Sequence, residues 1–94
     1  MKKVSCFYVK IVKFPANLKA KHLMSILTKI KVHVSKEMIY EDTKSTDVFI
    51  EFKCYNDAKY LCGQRTIFNG VSAEFFDFQE FMKGKLSGTF KRKN

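Results

Sequence analysis

Two kinds of hydrophobic periodicity alternate along the chain, and their order restricts the fold more than any other feature. Val4–Val12 is rich in β-branched and aromatic side chains, and Asp47–Phe52 alternates polar with apolar positions, as strands do. Between them, from Leu18 to about Lys31, apolar residues recur every three or four positions, which predicts an amphipathic helix. With a short strand at Glu37–Tyr40, the first half of the chain is expected to fold as β-α-β-β.

The second half adds one more helix and one more strand. A helix is expected from about Asn56, and a fourth strand is expected over Ser72–Phe78. The order β-α-β-β-α-β is that of the split βαβ, ferredoxin-like sandwich. The predicted fold class is therefore α+β, with a four-stranded antiparallel sheet and two helices packed on one of its faces.

The length of 94 residues allows one small domain. We assign residues 1–82 to that domain, with one further helical turn over Gln79–Lys83. Ser87–Asn94 has no apolar period, and residues 83–94 hold five basic and no acidic side chains. They are therefore expected to form a basic, flexible carboxyl-terminal tail.

The chain is strongly basic, with 18 Lys and Arg against 9 Asp and Glu and a net charge of +9. Such a balance favours anionic partners, above all nucleic acid. The tail, Lys2 and Lys3 hold seven of these charges, which leaves +2 for the rest. Because the end of the fourth strand is expected beside the start of the first, both basic termini should meet at one sheet edge. This predicts weakly specific, arm-assisted binding.

Several classes of protein are disfavoured by the sequence. The three cysteines, Cys6, Cys54 and Cys62, form an odd set without CxxC spacing, which is typical of a reduced intracellular compartment, nucleus or cytoplasm. His22 and His33 have no partners at zinc-finger spacing, so we expect no metal. No nucleophile–base set or phosphate-binding glycine loop is present, so we expect no enzyme activity and no cofactor. No apolar stretch approaches the length of a membrane span.

Short matches in the correct order make the chain resemble an RNA recognition motif (RRM) from Val4 to Phe78. They are Ala58 in the second helix, Phe68-x-Gly70 before the fourth strand, and Val48–Phe52, which is similar to the end of the third-strand octamer of that family. The resemblance implies a non-catalytic module that stacks single-stranded RNA on strand aromatics. We expect a monomeric domain of a larger protein.

Two of the three stacking positions differ from the usual RRM pattern. In the first-strand hexamer Val9–Phe14 the aromatic is replaced by Lys10, and in the octamer Ser45–Phe52 the first aromatic is replaced by Asp47. Phe49 keeps the remaining position. These differences resemble the quasi-RRM subgroup typified by heterogeneous nuclear ribonucleoproteins F and H, which grips guanine-rich strands with loops.

Strand alternation places the candidate RNA-binding side chains on the sheet face opposite the helices, and the basic tail adds phosphate contacts. The predicted RNA-binding residues are Tyr8, Lys10, Phe49, Lys91, Arg92 and Lys93. A second interpretation remains open for each sheet residue. In this interpretation the Tyr8 and Phe49 rings would pack against a tail or terminal helix, and Lys10 would form an ion pair with Asp47 or Glu51.

The alternative function is a protein–protein interaction module on a degenerate RRM scaffold. Carboxylates on the open sheet face repel a nucleic-acid backbone, and the Phe-rich segment Glu74–Met82 offers apolar contact surface. Within that segment we expect Phe75 to fill the core and Phe78 or Phe81 to anchor the last helical turn.

Overall fold

The structure is a computed structural model, and it describes residues 6–64, 67 and 70–94 of the chain. The expected start of the first strand at Val4, the basic pair Lys2 and Lys3, and the Phe68 match lie outside the described residues.

Five strands and three helices make up the described chain. A single 3-10 turn at Lys36–Met38 precedes the second strand. The strands are β1 (Phe7–Val12), β2 (Ile39–Asp42), β3 (Val48–Phe52), β4 (Ser72–Phe76) and β5 (Phe90–Arg92). The helices are α1 (Ala20–Lys29), α2 (Tyr55–Cys62) and α3 (Phe78–Ser87). The strands form one antiparallel sheet in the order β4-β1-β3-β2-β5.

The predicted alternation in β1 and β3 is confirmed. Val9 and Ile11 of β1 and Ile50 of β3 are fully buried in the core that α1 and α2 cover. Tyr8 and Phe49, at the intervening positions, belong to a separate cluster on the other face. The period of two along each strand thus divides apolar side chains between two cores.

The helix α1 is shorter than the sequence predicts, because its first turn is fixed by contacts that pattern alone does not show. The Lys19 N–H donates to Nδ1 of His22 at 2.8 Å, and the Ala20 N–H donates to the Asn94 carbonyl at 2.7 Å. Both bonds satisfy backbone donors that a helix N-terminus otherwise leaves unpaired. The helix therefore begins beside the carboxyl-terminal end of the described chain.

The expectation of a four-stranded sheet and a flexible tail differs from the structure. Residues 90–92 form β5, which pairs with β2 through Tyr40–Arg92 and Asp42–Phe90. The Lys93 N–H extends this pairing by donating to the Ile39 carbonyl at 3.0 Å. Because β5 lies at the edge opposite β4, the basic carboxyl-terminal residues do not lie beside β1 as expected.

The expectation that helices cover only one sheet face is also wrong. The helix α3 has three turns rather than one and lies on the opposite face from α1 and α2. Asp77 caps its start, with Oδ2 accepting from the Glu80 N–H at 3.0 Å, and Gly88, which has φ +82°, caps its end. Phe81 anchors it and is fully buried, as one of the two predicted anchors.

Gly84 permits close contact between α3 and β5, since a methyl group there would overlap the Phe90 ring. On an exposed helix, Gly→Ala is stabilising by about 1 kcal/mol. We expect the opposite for Gly84→Ala, a loss of about 1–3 kcal/mol in the free energy of unfolding, because the ring must move. Urea denaturation measures this difference.

Gly63→Ala is the matched control. Its added methyl would lie 3.4 Å from the nearest atom, the Lys59 carbonyl oxygen, which is ordinary contact distance. We expect little loss of stability from this variant. Stabilisation by Gly84→Ala would contradict the packing of β5 against α3.

Candidate nucleic-acid interface

The predicted stacking rings lie beneath α3. Phe81 stacks on Tyr8, with ring centroids 4.2 Å apart and an interplanar angle of 18°, and meets Tyr40 edge-on at 5.1 Å. Tyr8 is 4% exposed and Phe49 is 1% exposed. A nucleic-acid base can reach either ring only if α3 leaves the sheet. The interpretation that these rings pack against a terminal helix is confirmed.

The polar groups of the same face are paired with one another. The Tyr8 hydroxyl donates to Oε2 of Glu51 at 2.8 Å, and the Lys10 ammonium lies 3.4 Å from Oδ2 of Asp47. Burial, followed by the hydrogen bond to Glu51, raises the pKa of the Tyr8 phenol above its ordinary value. The predicted ion-pair alternative for Lys10 is therefore confirmed.

The three predicted basic residues near the carboxyl terminus have different surroundings. Lys91 and Arg92 are exposed on β5, whereas Lys93 is 8% exposed and its Nζ lies 3.3 Å from Oε1 of Glu41. Two strands, β2 and β3, separate β5 from β1. The fold therefore brings Tyr8, Lys10 and Phe49 together on the sheet face that α3 covers. It holds Lys91 and Arg92 on the edge strand β5, where the Arg92 guanidinium lies 5.8 Å from the centroid of the Tyr40 ring.

Sequence reasoning named Arg92 and Lys93 but missed that they lie near Lys19, Lys21 and Lys36, where α1, the 3-10 turn and β5 meet. Two adjoining grooves share Lys36 and Asn94. We call them together the basic groove. Its lining residues are Lys19, Lys21, Lys36, Glu37, Arg92, Lys93 and Asn94.

The signal that would have found this site is the distribution of acidic residues. Residues 1–36 contain nine lysines and no Asp or Glu, whereas residues 37–94 contain nine basic and nine acidic side chains. The first 36 positions therefore account for the entire net charge of +9. Six of these lysines are exposed on α1 and the segments that flank it: Lys13, Lys19, Lys21, Lys29, Lys31 and Lys36.

A second exposed feature is an aromatic cluster beside β4, formed by Phe7, Tyr55 and Phe75. Tyr55 meets Phe7 edge-on at 5.4 Å and stacks on Phe75 at 5.9 Å. Phe75 is 46% exposed and Tyr55 is 47% exposed. The expectation that Phe75 fills the core is therefore wrong, because β4 is an edge strand and α2 covers its ring only in part.

Comparisons with known proteins do not assign a family. No family model, curated protein or solved structure significantly matches the chain. Within residues 6–64, 67 and 70–94, no group of three or more His, Cys, Asp or Glu is arranged to hold a metal ion. No helix in this described part is long and apolar enough to cross a bilayer.

The buried Tyr8–Glu51 pair predicts a specific pH dependence of stability. Because the pKa of Tyr8 is higher in the folded chain, the folded state keeps a proton that the unfolded chain loses above about pH 10. Stability should therefore fall as the pH rises above that value. Tyr8→Phe should make this decline shallower. At neutral pH, loss of the hydrogen bond to the Glu51 carboxylate should lower the free energy of unfolding of this variant by about 1.5 kcal/mol.

Thermal denaturation across alkaline pH tests this expectation, with the exposed Tyr60→Phe as the control. Burial also raises the pKa of the Cys62 thiol to about 11, so both proteins retain that thiol's contribution to the decline. An identical alkaline profile for Tyr8→Phe and the control would contradict the buried phenol.

Proposed function

We propose that the chain is a non-catalytic RNA-binding module of RRM type that contacts single-stranded RNA through its basic surface. The order β-α-β-β-α-β and the strand order β4-β1-β3-β2 support a ferredoxin-like scaffold, to which α3 and β5 are added. With the sheet face covered by α3, base stacking on Tyr8 and Phe49 does not support the proposal.

The observation that carries the proposal is the separation of charge along the chain. Residues 1–36 contain nine lysines and no Asp or Glu, and the exposed ones among them form a surface on which cations are not cancelled by neighbours in sequence. These exposed lysines are Lys13, Lys19, Lys21, Lys29, Lys31 and Lys36. Such surfaces bind polyanions because phosphate contacts release condensed counterions. Backbone contacts of this kind position RNA but do not read its bases, so binding is expected to be weakly specific.

RNA binding should therefore depend steeply on salt. We expect a labelled oligouridine to bind measurably at about 50 mM salt and much more weakly at about 200 mM, with a slope near −0.7 per phosphate contact. Fluorescence anisotropy measures the affinities. Chemical-shift mapping should move amides of α1 and leave the Tyr8 and Phe49 ring signals unchanged.

If no RNA binds at the lower salt concentration, the proposed function is wrong. If RNA binds and shifts the Tyr8 and Phe49 rings, α3 must leave the sheet and binding uses the sheet face.

The alternative function, protein interaction, is favoured by the exposed aromatic cluster of Phe7, Tyr55 and Phe75. Exposed aromatic side chains that stack on one another are typical of protein interfaces. If this function is correct, Tyr55→Ser with Phe75→Ser should abolish nuclease-resistant capture of a partner without changing RNA affinity. Leu86→Ser, at a hydrophobic side chain that is 82% exposed on α3, is the control.

A further inference from the structure

We propose that the basic groove is the site at which the chain holds the phosphate backbone of single-stranded RNA. The inference rests on the proposed RNA-binding function and assigns it to particular residues. Those residues are Lys19 and Lys21 at the start of α1, Lys36 in the 3-10 turn, and Arg92 in β5.

The groove joins segments that are distant in sequence. The hydrogen bond from the Ala20 N–H to the Asn94 carbonyl ties the start of α1 to the chain after β5. The pairing of Tyr40 with Arg92 holds β5 against β2, and β2 begins directly after the 3-10 turn. Lys19, just before α1, and Lys21 in its first turn are therefore held beside Lys36, which shares a groove with Arg92, so the four charges can act on one ligand.

The cations of the groove are available to an outside anion. Among the described residues, neither Lys21 nor Lys36 has a carboxylate oxygen within 4.0 Å of its ammonium nitrogen. By contrast, Lys93 is neutralised by Glu41 at 3.3 Å and contributes no free charge. Phosphate oxygens are suited to such unpaired ammonium groups and also to the guanidinium of Arg92, which lies 5.8 Å from the centroid of the Tyr40 ring.

One carboxylate, Glu37, lies among the groove lining. Hydrogen bonds from its own backbone N–H and from Ser35 lower its pKa, and the charges of Arg92 and Lys36 act in the same direction. Glu37 is therefore ionised at neutral pH and repels a phosphate. Four cationic side chains against this one acidic side chain leave the groove positive.

The positive surface continues along α1 beyond the groove. Lys21, Ser25, Thr28 and Lys29 are exposed, and their three- and four-residue spacings place them on one side of the helix. Lys21 and Lys29 are about 12 Å apart along the helix axis. An extended RNA strand that leaves the groove thus meets Lys29 and the Ser25 hydroxyl, both able to donate to phosphate, whereas the Thr28 hydroxyl donates to the Met24 carbonyl at 2.8 Å.

The chemistry of the groove favours a nucleic-acid backbone over a membrane or a protein. Membrane-surface binding needs apolar side chains that insert, and protein interfaces need an apolar centre. Among the described residues, the exposed large hydrophobic side chains belong to α2, β4 and α3, and none lines the groove. These side chains are Tyr55, Tyr60, Phe75, Phe78 and Leu86.

Charge reversal of two exposed lysines tests the site. We expect Lys21→Glu with Lys36→Glu to weaken oligouridine binding about tenfold or more at low salt and to reduce the salt slope by about 0.7 for each lost phosphate contact. The matched control is Lys59→Glu with Lys83→Glu, on α2 and α3, which changes the net charge equally. Circular dichroism should show that both double variants remain folded.

A gain of affinity is the sharper test, because misfolding cannot produce it. Glu37→Gln removes the repelling carboxylate, so we expect oligouridine to bind severalfold more tightly. Glu80→Gln, at an exposed position of α3, makes the same charge change away from the groove and should leave affinity nearly unchanged.

The outcomes separate the two proposals. If the wild-type chain binds RNA but the groove and control variants change affinity equally, the groove is the wrong site and the proposed function stands. If the wild-type chain binds no RNA, both proposals fail. The groove is supported if Glu37→Gln tightens RNA binding and Glu80→Gln does not, and if Lys21→Glu with Lys36→Glu weakens binding more than Lys59→Glu with Lys83→Glu does.

Discussion

The packing of Phe81 on the sheet is the interaction on which the rest of this structure depends. Its ring meets Tyr8, Tyr40 and Phe49, which come from three different strands, and all four side chains are buried. An aromatic residue of this size contributes several kcal/mol when it is fully buried. The contact holds α3 across the sheet face and makes that face a second core.

The position of α3 determines where the carboxyl-terminal residues go. The chain leaves α3 at Gly88, whose left-handed conformation ends the helix, and then pairs with β2 as β5. Arg92 consequently reaches the 3-10 turn, and Asn94 reaches the start of α1. The basic groove thus depends on β5, which follows α3 and pairs with β2.

Charge has a different role on the two faces of the sheet. On the sheet face that α3 covers, Lys10 forms an ion pair with Asp47. An ion pair of this kind contributes about 0–1 kcal/mol to stability when solvent reaches it. At the groove, Lys21 and Lys36 have no such partner among the described residues. Binding of an anion there does not require an existing ion pair to break.

Sequence periodicity determined which strand residues point to which face, because that depends only on the local period of two. It also predicted the first four strands and the first two helices to within a few residues. The extent of α3 was missed, although Asp77 and Gly88 are local signals for its ends. The exposure of Phe75 was missed as well, since it depends on β4 being an edge strand that α2 covers only in part.

Only the tertiary structure decided that α3 covers the sheet face opposite α1 and α2, because Phe81 contacts rings that lie 32 to 73 positions earlier in the sequence. The same long-range packing decided that Lys19, Lys21, Lys36 and Arg92 share one groove.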